Sequence, residues 1–203
     1  MRVIDCLGGA FASHCNRLAE NVIESGFRPT VVIGILTGGA VVSRIMAQRL
    51  RDAGIEFRYA ETKLQRNSTV RKGQLGVRKY LRMLPRSLCN ILRNVEMLLG
   101  EIAFYLKRSK SLSPAVLDEQ VLSILSDGAR VLVIDDAIDT GSTITAVKQG
   151  ISERHPRSEV RLAVLTVTHR RPLSRPDYHL YNRVLLRFPW SFDVCEEAEC
   201  KKR

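Results

Sequence analysis

Residues 130–145 read Arg-Val-Leu-Val-Ile-Asp-Asp-Ala-Ile-Asp-Thr-Gly-Ser-Thr-Ile-Thr. The apolar run 131–134 has the pattern of a strand covered on both faces, as in a parallel sheet. Asp135 and Asp136 follow at its carboxyl end, where parallel α/β sheets hold their ligands. The loop Asp139-Thr140-Gly141-Ser142-Thr143 then leads into a helix, with Gly141 allowing close backbone approach and Ser142 and Thr143 adding hydroxyls. N–H groups that open a helix lack intrahelical partners, and the helix dipole favours an anion beside them. The paired acids suit vicinal hydroxyls and the loop suits a monophosphate, so a phosphorylated sugar is the expected ligand. Ending a strand and capping a helix needs one acid; three acids and two hydroxyls exceed that need.

The same alternation repeats outward. A helix is expected over 11–25, with Leu18, Val22 and Ile23 on one side and Gly26 as its stop. The stretch 30–36 reads as a buried strand, Thr37-Gly38-Gly39 as a tight loop, and 40–53 as a helix ended by Gly54. Further strands are expected over 55–61 and 161–169, and a helix over 142–155, stopped by Pro156. This order predicts an α/β fold, a parallel sheet with helices on both faces. At 203 residues, 1–203 fits a single domain. The charged stretch 196–203 reads as a frayed tail.

Five scattered cysteines without a Cys-x-x-Cys pair speak against a disulfide framework or a zinc site, and for reduced thiols in a cytoplasmic setting. The four histidines show no metal-ligand spacing, and neither a signal peptide nor a membrane span is expected. Charge is unevenly distributed. Between Lys63 and Lys110 lie twelve basic residues against two acids, so this segment carries +10 (12 − 2) of the net +11. An excess of this kind concerns a partner or ligand rather than the fold. Within it, Leu88, Ile91, Leu92, Val95, Leu98, Leu99, Ile102 and Leu106 recur at helical spacing, and Ser113-Pro114 opens another amphipathic stretch. A helical insertion over 78–125, an inserted arm within the domain, is therefore expected. Its apolar stripe suits added core or a dimer contact, hence a homo-oligomer; its basic face suits nucleic acid, a protein partner or an anionic membrane surface.

The segment 130–145 resembles the phosphoribosyl pyrophosphate (PRPP) signature of the type I phosphoribosyltransferases. The resemblance implies that Asp135 and Asp136 hold the ribose hydroxyls, directly or through Mg²⁺, and that Asp139, Thr140, Gly141, Ser142 and Thr143 hold the 5′-phosphate. It also implies that Thr37, Gly38 and Gly39 bind pyrophosphate, often through a strained peptide ahead of the glycines. By itself a Gly-Gly turn is equally a plain loop. The polar, basic stretch 62–76 suits a mobile lid, and the resemblance implies one that closes over pyrophosphate, with Arg71 and Lys72 as candidates to neutralise charge.

The far end bears on the acceptor. Thr168-His169-Arg170-Arg171-Pro172, Pro176-Asp177-Tyr178 and Leu185-Leu186-Arg187-Phe188-Pro189-Trp190 follow the order of the purine-using branch, closest to the xanthine and hypoxanthine-guanine enzymes. In that branch a lysine binds the exocyclic oxygen of the base and an aromatic ring stacks on it; here His169 and Leu185 stand at those positions, with Trp190 as a further base-binding candidate or a core aromatic. The resemblance thus implies transfer of a 5-phosphoribosyl group from PRPP to a small base, with Asp139 as the catalytic acid/base near the imidazole ring. A PRPP- or nucleotide-binding regulator whose basic arm grips nucleic acid or a nucleoprotein is the reading from another class.

Overall fold

The computed structural model describes residues 1–63, 95 and 117–191. Arg71, Lys72 and the expected insertion up to residue 116, Val95 excepted, lie outside the described residues, as does the tail. In chain order the elements are β1 (Arg2–Asp5), α1 (Gly8–Glu24), β2 (Val31–Ile35), α2 (Gly38–Asp52), β3 (Arg58–Thr62), α3 (Glu119–Ile124), β4 (Arg130–Ile138), α4 (Ser142–Arg154), β5 (Glu159–Val167), β6 (Tyr178–Asn182) and β7 (Val184–Arg187). Among the described residues five strands form one parallel sheet in the order β3-β2-β4-β5-β6, and β1 pairs in parallel with β7 beside it.

Successive side chains of a strand face opposite sides, and both sides are covered here. Val31, Ile33, Val131, Val133, Leu162 and Val164 pack with Val121 of α3 and with Ile144, Val147 and Ile151 of α4. Val32, Leu132, Ile134, Ala163 and Leu165 pack with Leu18 and Val22 of α1 and with Val42, Met46 and Leu50 of α2. Helix α1 forms because Phe11, Cys15, Leu18, Ala19 and Val22 fall on one stripe, which the sheet buries.

Strand β4 runs four residues beyond the apolar stretch, through both acids to Ile138. Carboxylates are poor strand formers, but Asp135, Ala137 and Ile138 stay in register with Val164, Thr166 and Val167 of β5, and pairing overrides propensity. β3 begins at Arg58 rather than at residue 55. β1, β6 and β7 lie outside the anticipated elements: each is four or five residues long, too short to show a period. Within the expected insertion, Leu117, Val121 and Leu125 are buried in the layer that covers one sheet face. Asp118 caps this return. Its Oδ2 accepts the Thr62 hydroxyl at 3.0 Å and the Lys63 N–H at 3.1 Å, so the chain leaves and re-enters the sheet at one point.

The strand order reverses direction between β2 and β4. From β2 the chain passes into α2 on one face; from β4 it passes into α4 on the other. The two loops therefore diverge and leave a crevice at the carboxyl ends, the usual position of ligands in open α/β sheets.

Candidate active site

Gly34 seats the first loop. A Cβ on it would lie 2.1 Å from Ser43 Oγ, and the buried Ser43 hydroxyl is within 2.9 Å of Ala40 O and 2.8 Å of Tyr59 Oη. Helix α2 is thereby held close to β2, with its first residues at the strand's end. The Leu36–Thr37 peptide is cis, and Leu36 and Thr37 are exposed. Gly38 and Gly39 then pack directly on the acid pair: a Cβ on Gly38 would lie 2.0 Å from Asp136 Oδ2, and one on Gly39 would lie 2.7 Å from both Cα and Oδ1 of Asp135. No real Cβ fits at such distances, so this approach requires both glycines.

Asp135 Oδ1 accepts the Asp136 N–H at 2.9 Å. Asp136 Oδ1 accepts the Ala137 N–H at 2.9 Å, and its Oδ2 accepts the Trp190 indole N–H at 3.2 Å. Burial pushes the Asp136 carboxyl up, against the opposing effect of these hydrogen bonds and of Asp135. The donors fit Mg²⁺: they are carboxylate oxygens, suited to a hard cation that keeps waters and takes its other ligands from phosphates. Among the described residues no cluster of three or more His, Cys, Asp or Glu could hold a metal ion. Two carboxylates are a partial shell, of the kind that substrate oxygens complete.

On the other side of the acids, Asp135, Ala137, Ile138, Asp139, Thr140, Gly141, Thr143 and Ile144 line a pocket of ≈ 50 Å³. Gly141, at the N-cap of α4, has φ +78°, a left-handed conformation that favours glycine. A second segment braces this loop from outside: Leu173 N–H donates to Thr140 O at 2.9 Å, and Thr145 Oγ1 lies 2.8 Å from Ser174 Oγ. Asp139 is exposed, and its carboxylate accepts a hydrogen bond from the Thr168 hydroxyl. Thr168 opens the Thr168-His169-Arg170-Arg171-Pro172 stretch without a role assigned from the sequence, yet its hydroxyl ties Asp139 to the strand end that carries His169.

His169 is buried, and its Nδ1 accepts the Arg171 N–H at 3.3 Å. An accepting Nδ1 leaves the proton of the neutral ring on Nε2. The start of β7 is brought to this corner by bonds from Thr166 Oγ1 to Val184 O (2.6 Å) and from Arg183 N–H to Val167 O (2.8 Å). Leu185, in β7, is paired with Val3 of β1 and half-buried. Trp190 lies elsewhere in the crevice: its ring stacks on Phe188 at 4.9 Å, meets Phe11 edge-on at 5.5 Å, and passes so near Gly38 that a Cβ there would be 2.9 Å from Cζ2. Phe11 and Phe188, both unmarked in the sequence reading, set the tilt of that ring.

A family model described as the phosphoribosyl transferase domain matches residues 8–197. No curated protein sequence matches the chain. Among solved structures, it is similar to a Helicobacter pylori xanthine-guanine-hypoxanthine phosphoribosyltransferase at a TM-score of 0.59, with 12% identity over 100% of both chains. A purine phosphoribosyltransferase from Pyrococcus horikoshii gives 0.57 with 18% identity, over 97% of this chain and 100% of that one. A Neisseria gonorrhoeae protein solved with bound ppGpp gives 0.58 with 14% identity, over 99% of this chain and 94% of that one. At such identities the likeness is one of fold.

Proposed function

This chain belongs to the phosphoribosyl transferase domain family, and we propose that it transfers a 5-phosphoribosyl group from PRPP to a nitrogenous base, a purine, with release of pyrophosphate. The observation that carries the proposal is the convergence of two loops on one acid pair, with Gly38 and Gly39 packed on Asp136 and Asp135 and the Gly141 pocket on the other side. One substrate with an anion at each end and a diol between them suits this crevice.

In this reading Thr140, Gly141, Ser142 and Thr143, with Asp139, bind the 5′-phosphate at the start of α4, where backbone N–H groups and the helix dipole favour an anion. Thr37, Gly38 and Gly39 bind pyrophosphate, and Asp135 and Asp136 orient the ribose hydroxyls. Mg²⁺, held by those two carboxylates, supplies neutralisation of the pyrophosphate charge when bound. The C1–oxygen bond to pyrophosphate breaks while the lone pair of a ring nitrogen forms the C1–N bond from the opposite face. Asp139, steadied by the Thr168 hydroxyl, takes the proton from the base's imidazole ring. His169 and Leu185 form the base side of the crevice, with Leu185 closing its apolar wall. Arg71 and Lys72 belong to the lid. Most of the rate enhancement then comes from positioning and charge stabilisation. A reducing cytoplasmic setting, in which Cys6 and Cys15 remain thiols, and a homo-oligomeric state are parts of the same reading.

The test is pyrophosphate release from PRPP and Mg²⁺ with xanthine, hypoxanthine, guanine, adenine, uracil and orotate in turn. Release with a purine is expected. The double variant Asp135→Asn with Asp136→Asn should stay folded and lose PRPP binding; normal PRPP binding by it would sink the site assignment. A second reading is favoured by charge: the +10 carried between Lys63 and Lys110 suits a polyanion, and a regulator gripping nucleic acid would show oligonucleotide binding that weakens steeply with salt.

A further inference from the structure

We propose that Trp190 is a positioning residue: its indole N–H fixes the Asp136 carboxylate against Gly38 and so ties the segment after β7 to the sugar-binding acids. The inference deepens the reading above and rests on it. Three observations carry it. First, the indole N–H can only donate, and the acceptor it meets is Asp136 Oδ2 at 3.2 Å. Second, the ring that bears this N–H is set by two neighbours, with Phe188 parallel to it at 8° and Phe11 perpendicular at 89°. Third, Gly38 leaves no room between the carboxylate and the ring: a Cβ there would lie 2.0 Å from Asp136 Oδ2 and 2.9 Å from Trp190 Cζ2.

With Ala137 N–H on one oxygen and Trp190 on the other, the Asp136 carboxylate is tethered at both atoms. It is therefore held in one orientation before a sugar diol arrives, which lowers the ordering cost of binding. A tryptophan serving only as core would be buried, whereas Trp190 is 39% exposed and gives its one polar hydrogen to the acid. The tie also has a direction. Trp190 follows β7, the strand that carries Leu185, so the acceptor corner and the sugar acids share one short segment.

Trp190→Phe keeps an aromatic ring beside Phe188 and removes the N–H together with the pyrrole half of the indole. A hydrogen bond to a charged group is worth enough that the KM for PRPP should rise about tenfold or more, with the KM for the base nearly unchanged. A raised KM for the base with that for PRPP unchanged would mean that the ring stacks on the base, and would overturn the proposal; so would two unchanged KM values. The contact is also testable without turnover, because Trp190 is the only tryptophan in the chain. In the ligand-free protein Asp136→Ala should shift the tryptophan emission spectrum, and an unchanged spectrum would overturn the proposal. If the parent protein binds no PRPP, the transferase reading fails separately, and the emission result still decides whether the indole is held by the acid.

Discussion

Gly39 has the least latitude of any residue in the crevice. The atoms that a Cβ on it would meet include Asp135 Cα at 2.7 Å and Ile134 O at 2.9 Å, both backbone, so nothing can swing aside. Gly39→Ala should therefore separate α2 from β4, costing about 1–3 kcal/mol of stability by urea unfolding and weakening PRPP binding. Gly38 differs, since its nearest atoms are side-chain ends of Asp136 and Trp190. Gly38→Ala should cost less stability and at least as much binding. Gly9, with no atom within 4 Å, is the control, and Gly9→Ala should neither lower stability nor weaken binding. If Gly39→Ala unfolds at the same urea concentration as its parent, the loop is not seated on the acids.

Among elements, the return through Asp118 has the widest consequence. Because Thr62 and Lys63 both meet the carboxylate of Asp118, the residue just before α3, the 53 residues 64–116 start and end at one point of the sheet edge. Replacing them with a Gly/Ser linker of about six residues should leave a cooperative fold and reduce the loop-closure cost by about 2 kcal/mol. Far-UV circular dichroism and a thermal scan would check it, and loss of the cooperative transition would mean that the excursion completes the core. The linker must preserve Leu117, Val121 and Leu125, which bury against the sheet and belong to its layer.

For the whole molecule, two carboxylates should give the pH dependence of stability opposite contributions. Glu61 is held below its ordinary 4.5 by the hydrogen-bonded pair with Arg44, with Tyr59 Oη adding a further bond at 2.8 Å. Its contribution is complete above the unfolded value and is lost as pH falls through the lower folded one. Asp136 is raised above its ordinary 3.8 by burial, so its charge opposes folding increasingly as pH rises through the folded value. In urea midpoints measured from pH 3 to 7, Asp136→Asn should gain on the parent as pH rises, while Glu61→Gln should lose ground. Parallel curves for Asp136→Asn and the parent would show that desolvation does not raise this half-buried carboxyl. Arg44 is largely solvated, so the Glu61 effect will be small. Among the described residues no helix is long and apolar enough to cross a membrane.

The residue order by itself determined the layered α/β plan and the crevice loops. Four-residue apolar runs ending in acids or glycines imply buried parallel strands, because a strand covered on both faces has no polar side to show. It determined the family as well, through the acids and hydroxyls of 135–143, whose chemistry is local. Only the tertiary structure decided what touches what. That Gly38 and Gly39 rest on Asp136 and Asp135, that Thr168 holds Asp139, and that Trp190 donates to Asp136 are contacts between residues 29 to 98 positions apart. No local period encodes them. They follow from the strand order, which sets β2 beside β4 and brings the segment after β7 over their ends.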